Sequence, residues 1–136
     1  MNRLHSSEIA QFARKYRFVG GRVKKLRLTN SRGVAALEAT LLVRPATRDL
    51  GAAPKPVKLK LKVTGVEEYR FQKRPTLPAG KMSDLKIGYF NGLYYINFDA
   101  WGLPAGEVPG LHDYRASDAF VGGGDLFWEQ VAAKEE

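Results

Sequence analysis

The residues best suited to covalent chemistry lie close together near the C-terminus. His112 and Asp113 are adjacent, and Ser117 and Asp118 follow within a few positions. A serine nucleophile with a histidine base is one interpretation, but no G-x-S-x-G motif surrounds Ser117, and three such residue types so close together are common by chance. A metal site needs several converging ligands, whereas the chain has no cysteine and one other histidine, His5. We therefore expect no metal, no cofactor and no catalysis; an enzyme of unrecognised type using His112 and Asp113 is an alternative.

Two further motifs have a structural explanation as well as a chemical one. Gly122-Gly123-Gly124 could hold a phosphate, but no Gly-Lys-Ser/Thr follows it and a strand-like segment does, so we predict a tight turn between strands. Asp84 and Asp99 would lie opposite each other at the open end of a predicted hairpin. The two carboxylates could act as a paired acid and base, or they could simply be solvated at the ends of loops.

Three residues are candidate contacts for a partner or ligand: Trp101, His112 and Trp128. Trp101 lies in a Gly/Pro-rich loop, where a ring can bind a sugar or a partner or can pack over a sheet edge. Trp128 follows Phe127, so on a strand the two rings point to opposite faces, and one of them faces outward unless a second layer covers it.

The basic residues of the first half are the only functional signal above background. Lys58, Lys60 and Lys62 alternate with apolar residues, so they project from one strand face about 6.6–6.8 Å apart. Phosphate contacts made by such a face are sensitive to salt and largely indifferent to sequence. Lysines also protect an exposed strand from edge-to-edge aggregation, and this strand lacks the aromatic residues of many nucleic-acid-binding sheets. The candidate anion-binding residues are Lys24, Lys25, Arg27, Lys58, Lys60, Lys62 and Arg70.

The charge is divided unevenly along the chain. The 136 residues carry a net charge of +8; residues 1–74 hold 18 Lys and Arg against 5 Asp and Glu, whereas residues 75–136 hold 4 against 9. No linker separates the halves, and this length fits one domain with its own core, 1–136. Two interpretations remain open: neighbouring strands neutralise each other within one sheet, or the basic half steers an anionic partner.

The hydropathy pattern favours a cytoplasmic protein without a membrane partner. The first 12 residues lack the apolar run of a signal peptide, and no window approaches the length of a membrane-spanning helix. With a hydrophobic fraction of 44%, the chain is too apolar to be a disordered binder of polyanions.

The elements that position these residues are a short helix followed by strands. Ile9, Phe12, Ala13 and Tyr16 have helical spacing, so we predict a helix over about 7–16, capped by Ser6 or Ser7. A β-rich body over about 18–132 and an acidic tail over 133–136 follow.

Alternation predicts most of the strands. Leu26 and Leu28 face inward and Lys25 and Arg27 outward, while Val23 is out of phase, which indicates a bulge beside Gly20-Gly21. Residues 34–43 fit either a helix or a strand, and we favour a strand because a short turn precedes it. Residues 57–66 alternate clearly, and residues 68–74 continue the pattern after a kink at Gly65.

Asn91-Gly92 is the strongest hairpin signal, because both central residues of a type I′ turn need positive φ. The predicted register places Phe90 opposite Leu93, Tyr89 opposite Tyr94 and Ile87 opposite Ile96. It also places Lys86 opposite Asn97 and Leu85 opposite Phe98.

Two more strands are predicted near 114–121 and 126–131. About eight strands with short connections predict a mainly β fold, an antiparallel sandwich or strongly curved sheet with one short N-terminal helix.

In the order and spacing of residues 18–28, the strand 57–66 and the hairpin around Asn91-Gly92, the chain resembles small bacterial β-rich domains of unknown function, some grouped with the immunity proteins of polymorphic toxin systems. The resemblance implies a non-enzymatic binding role and carries over no functional residue, because the His-Asp pair that those families place before the first long strand is replaced here by Gly20-Gly21. We therefore expect a protein-interaction module, either immunity-like or self-associating. The alternative is a domain that binds nucleic acid or another polyanion through its basic early strands.

Overall fold

The structure, a computed structural model, describes residues 1–46, 55–71, 84–98, 109–117 and 119–132. Within them a 3₁₀ turn at Ser6–Glu8 leads into the first of two short helices, α1 (Ile9–Ala13) and α2 (Leu111–Arg115). The strands are β1 (Asn2–Arg3), β2 (Tyr16–Ser31), β3 (Val34–Pro45), β4 (Val57–Phe71), β5 (Lys86–Phe90), β6 (Leu93–Asn97) and β7 (Ala119–Ala132).

These seven strands form one open antiparallel sheet in the order β2-β3-β4-β7-β6-β5, with β1 pairing to β7 beyond the end of β6. Strands make up 68% of the described residues, so the mainly β prediction is confirmed. Of the two predicted arrangements, a sandwich and a strongly curved sheet, the described residues form a single sheet that is not closed. Of the described helices, α1 was predicted and α2 was not.

The inner face of the sheet carries the main core. Alternate residues of β3 and β4, such as Leu41, Leu59 and Leu61, are fully buried there, and Leu126 of β7 joins them. Phe12 of α1 also belongs to this core. The helix ends earlier than predicted, since Tyr16 already begins β2. The predicted cap at Ser6 or Ser7 is wrong, because the residue before the first turn is His5, whose N–H donates to the Glu8 side chain.

The glycine run of residues 122–124 lies inside β7, so the predicted turn between two strands is wrong. The run faces a register shift in β4 after Gly65, whose φ is +62°. A Cβ at Gly123 would lie 2.5 Å from Val63 Cγ1, and one at Gly122 would lie 2.6 Å from Tyr95 Cε1. The glycines therefore allow close approach at a bend where β7 changes partners, and they do not end the strand.

A smaller core lies on the outer face, where α2 covers β5, β6 and β7. Tyr95, Tyr114 and Phe120 are buried together, and Phe90 packs against them. The predicted strand over 114–121 is therefore wrong in its first half, because residues 111–115 form a helix in which Asp113 accepts the Gly110 N–H at 2.8 Å. This local bond satisfies one of the free donors at the helix start.

The remaining strand predictions are confirmed. Residues 34–43 are a strand, and the bulge is present, because Val23 pairs with Leu41 while Lys25 pairs with Thr40. The hairpin has the predicted pairs from Phe90–Leu93 to Lys86–Asn97, and Asn91 and Gly92 have φ of +53° and +83°. The ladder ends there, so the predicted pairing of Leu85 with Phe98 is wrong, although both residues are buried in the main core. Asp99, the acidic tail and residues 72–74 lie outside the described residues.

Candidate anion-binding surface

The sheet brings five of the seven candidate anion-binding residues onto the outer face of β2 and β4. We name these residues the basic surface: Lys25, Arg27, Lys58, Lys60 and Lys62. Lys25 pairs with Thr40 of β3, which pairs in turn with Lys60. Directly paired residues share a face, and two adjacent strand spacings separate Lys25 from Lys60 by about 10 Å. The surface is therefore a patch two strands wide, wider than the single row of lysines in the sequence.

Two carboxylates lie within the same rows and set the charge of the patch. Glu38 of β3 lies between Arg27 and Lys62, and its Oε1 is 3.7 Å from Lys62 Nζ. Glu129 of β7 is the ladder partner of Lys60. An exposed ion pair of this kind is worth little in water, about 0–1 kcal/mol. Five cations against two carboxylates leave a positive surface that neighbouring strands neutralise only in part.

An aromatic ring lies at the margin of the basic surface. Phe127 of β7 is the ladder partner of both Lys62 and Arg3. Because paired residues share a face, Phe127 faces outward with Lys62, and the next residue, Trp128, faces inward. Arg3 forms an ion pair with Asp125. Phe127 is half-buried, and the part of its ring that remains accessible can pack against a base or another flat group.

The other two candidate anion-binding residues lie apart from this arrangement. Lys24 is the extra residue of the bulge in β2 and has no place in the ladder rows. Arg70 lies beyond the bend of β4, where its Nη1 donates to the Arg115 carbonyl at 3.0 Å and its guanidinium lies 5.8 Å from the Phe120 ring centre. Arg115 itself donates to both oxygens of Glu68 at 2.8 and 3.2 Å, and these hydrogen bonds lower the pKa of Glu68.

The candidate partner contacts are dispersed. Trp128 is half-buried on the inner face, with its ring 5.3 Å from that of Phe12 and the Lys15 ammonium 5.0 Å from its centre. His112 is exposed on α2. Trp101 lies outside the described residues. The described residues thus do not bring Trp128 and His112 together as one contact surface.

Ser117, the serine that suggested a hydrolase, has its hydroxyl held in hydrogen bonds within the fold. Ser117 is buried; its hydroxyl donates to Asn97 Oδ1 at 2.7 Å and accepts the Ala119 N–H at 3.1 Å. A hydroxyl held in this way joins α2 to β6 and β7. Within the described part of the chain, no three His, Asp or Glu residues are grouped to hold a metal ion, and no helix is long and apolar enough to cross a bilayer.

Two features of the outer face were missed in the sequence. The neighbourhood of Phe127 and Lys62 depends on the pairing of β4 with β7, which are far apart in the chain and whose register has no local signal. The three arginines at positions 17, 22 and 44 come together only through the pairing of β2 with β3. Comparisons of the chain with protein-family models, with curated proteins and with solved structures give no match.

Proposed function

We propose that this protein is a cytoplasmic, non-enzymatic binding domain that takes a polyanionic partner, single-stranded nucleic acid, on its basic surface. The observation that carries the proposal is the row Lys25–Thr40–Lys60, in which a neutral residue of β3 separates two cations on the strands that flank it, β2 and β4. Arg27 and Lys62 extend the same two columns along the strands. Cations arranged in columns and rows can follow a phosphate backbone without reading its sequence.

Phe127 favours a single strand over a duplex. Its ring borders Lys62, so a base unstacked from its neighbours can pack on the ring while its phosphate meets the ammonium. A paired duplex keeps its bases stacked inside and offers only its backbone to such a surface.

A titration tests the proposal directly. Labelled single-stranded DNA and RNA oligonucleotides are titrated with the protein at about 50 mM salt, and binding is followed by fluorescence anisotropy. We expect saturable binding with little dependence on base sequence. If the natural partner is an acidic protein instead, neither oligonucleotide will bind. That result would rule out the nucleic-acid proposal.

A second candidate function, binding of a protein partner or of another copy of this chain, is favoured by the edge strand β2. Leu26 and Leu28 of this strand are 40% and 44% exposed although they lie on the apolar inner face. The immunity-like role implied by the sequence resemblance is one form of this function. Sedimentation velocity at low salt tests self-association, and a monomer under these conditions would rule out binding of another copy of this chain.

A further inference from the structure

Three arginines line a surface depression of about 310 Å³ at one end of the ladder between β2 and β3. Arg17 and Arg22 come from β2 and Arg44 from β3, while Leu42 and Pro56 contribute apolar wall. We name this feature the arginine pocket. It shares no residue with the basic surface but adjoins it, because Arg22 of the pocket and Lys58 of the basic surface both pair with Leu42.

The local irregularity of β2 creates the pocket. Arg17 pairs with Arg44 and Arg22 pairs with Leu42, so four residues of β2 stand against Val43 alone. Gly20, with φ of +79°, lies within this wide bulge, and it and Gly21 line the pocket. In a regular ladder every second residue of β2 would place a side chain on this face and fill the space. The bulge interrupts that pattern and leaves a depression between the arginines.

The charge of the pocket favours binding of an anion, because the described part of its lining has three arginines and no carboxylate. Arg17 and Arg44 are direct ladder partners, and Arg22 lies in the next row of the same face. Among the described residues, no carboxylate lies within ion-pair distance of Arg17 or Arg22. A bound anion would therefore meet Arg17 and Arg22 without competition from a described carboxylate.

We propose that the arginine pocket binds the phosphate group of a phosphate monoester. Guanidinium groups match phosphate oxygens with paired hydrogen bonds, and a monoester carries a charge of about −1.5 to −2 at pH 7, which the two guanidinium groups of Arg17 and Arg22 can offset. Leu42, Val43 and Pro56 provide an apolar wall for the organic part of the ester. The monoester can belong to a nucleotide or to a phosphorylated side chain.

The test uses phenyl phosphate as the probe and benzoate as the singly charged comparison. Amide resonances of Gly20 and Gly21 are followed by NMR during each titration. We expect saturable shifts with phenyl phosphate, with a Kd of about 1 mM or lower, and weaker binding of benzoate. No saturable shift at about 10 mM phenyl phosphate overturns the proposal.

Variants separate this site from the basic surface. Arg17→Gln and Arg22→Gln should each weaken phenyl phosphate binding about tenfold, because each removes a charge-assisted hydrogen bond. Arg14→Gln removes an exposed arginine outside both sites and should leave it unchanged; an equal loss in all three variants contradicts a defined pocket. Arg44 is left intact because it has other interactions within the chain. The amide spectra also show whether each variant is folded.

Two further probes distinguish the source of the phosphate. A nucleoside 5′-monophosphate and a phosphoserine peptide are titrated in the same way, and tighter binding of either one than of phenyl phosphate identifies its class. Oligonucleotide binding that is weakened while phenyl phosphate binding is retained, as expected for Lys60→Gln, shows that the two sites fail independently.

Discussion

Lys62 of β4 lies directly opposite Phe127 of β7, so the outer face carries an ammonium group and an aromatic ring side by side. The two residues are 65 positions apart in the chain. Their neighbourhood combines the two interactions that a single-stranded nucleic acid offers, attraction at the phosphate and stacking on the base.

Phe127→Ala should therefore weaken oligonucleotide binding by about tenfold, since loss of one base–aromatic contact costs about 1–3 kcal/mol. Binding of heparin, a polyanion without bases, should change little. Phe127→Tyr keeps a ring and serves as the matched control. If heparin and the oligonucleotide lose affinity equally on Phe127→Ala, the ring does not stack on a base.

The glycine run of β7 gives a prediction about stability. Gly123→Ala should lower the free energy of unfolding by about 1–3 kcal/mol, because its Cβ would meet Val63 Cγ1 at 2.5 Å and the Thr64 carbonyl oxygen at 2.9 Å. Gly124→Ala is the control, because its Cβ would meet the Thr64 carbonyl oxygen only at 3.9 Å, an ordinary contact. Urea unfolding measures both variants, and equal midpoints would show that β7 does not approach β4 this closely.

Tyr114 should make the fold sensitive to alkali. Burial, with a smaller contribution from the Asp113 charge, raises the pKa of Tyr114 to about 12. A phenol whose pKa is higher in the folded than in the unfolded state contributes stability that is complete below about pH 10 and is lost as the pH rises from about 10 toward about 12.

Tyr114→Phe should accordingly reduce the fall in urea midpoint between about pH 9 and about pH 11. The fall should not vanish, because burial also raises the pKa of Tyr16, Tyr94 and Tyr95. Tyr69→Phe, at a side chain that is 52% exposed, is the control and should leave the profile unchanged. An unchanged profile in Tyr114→Phe would mean that the ring is solvated in solution.

The parts of the fold that were predictable are those with local causes. Asn91-Gly92 specifies a turn whose positive φ values fix the register of the hairpin on both sides. The glycine run of β7 was misassigned because a glycine needed for close approach and one needed for a turn look alike in sequence. Residues 111–115 form a helix of five residues, too short for a periodic signal to distinguish it from a strand.

The candidate site was predictable to a similar extent. Alternation along β4 placed Lys58, Lys60 and Lys62 on one face, and the structure has them there. The width of the basic surface depends on β3 lying between β2 and β4. That order is set by the pairing of β3 with both strands. Arg70 was grouped with the lysines because it follows them in the chain, but it lies beyond the register shift between Val66 and Glu68, where it donates to the Arg115 carbonyl of α2.

The salt dependence of oligonucleotide binding tests the central claim most directly. Anisotropy titrations between about 50 and about 200 mM salt compare the unmodified protein with Lys60→Gln and with Arg14→Gln, which removes an exposed charge next to α1. We predict weaker binding and a slope of log K against log salt that is smaller by about 1 for Lys60→Gln, with Arg14→Gln close to the unmodified protein. Absence of binding at the lowest salt, or equal losses in the two variants, would contradict the basic surface as the site of a polyanion.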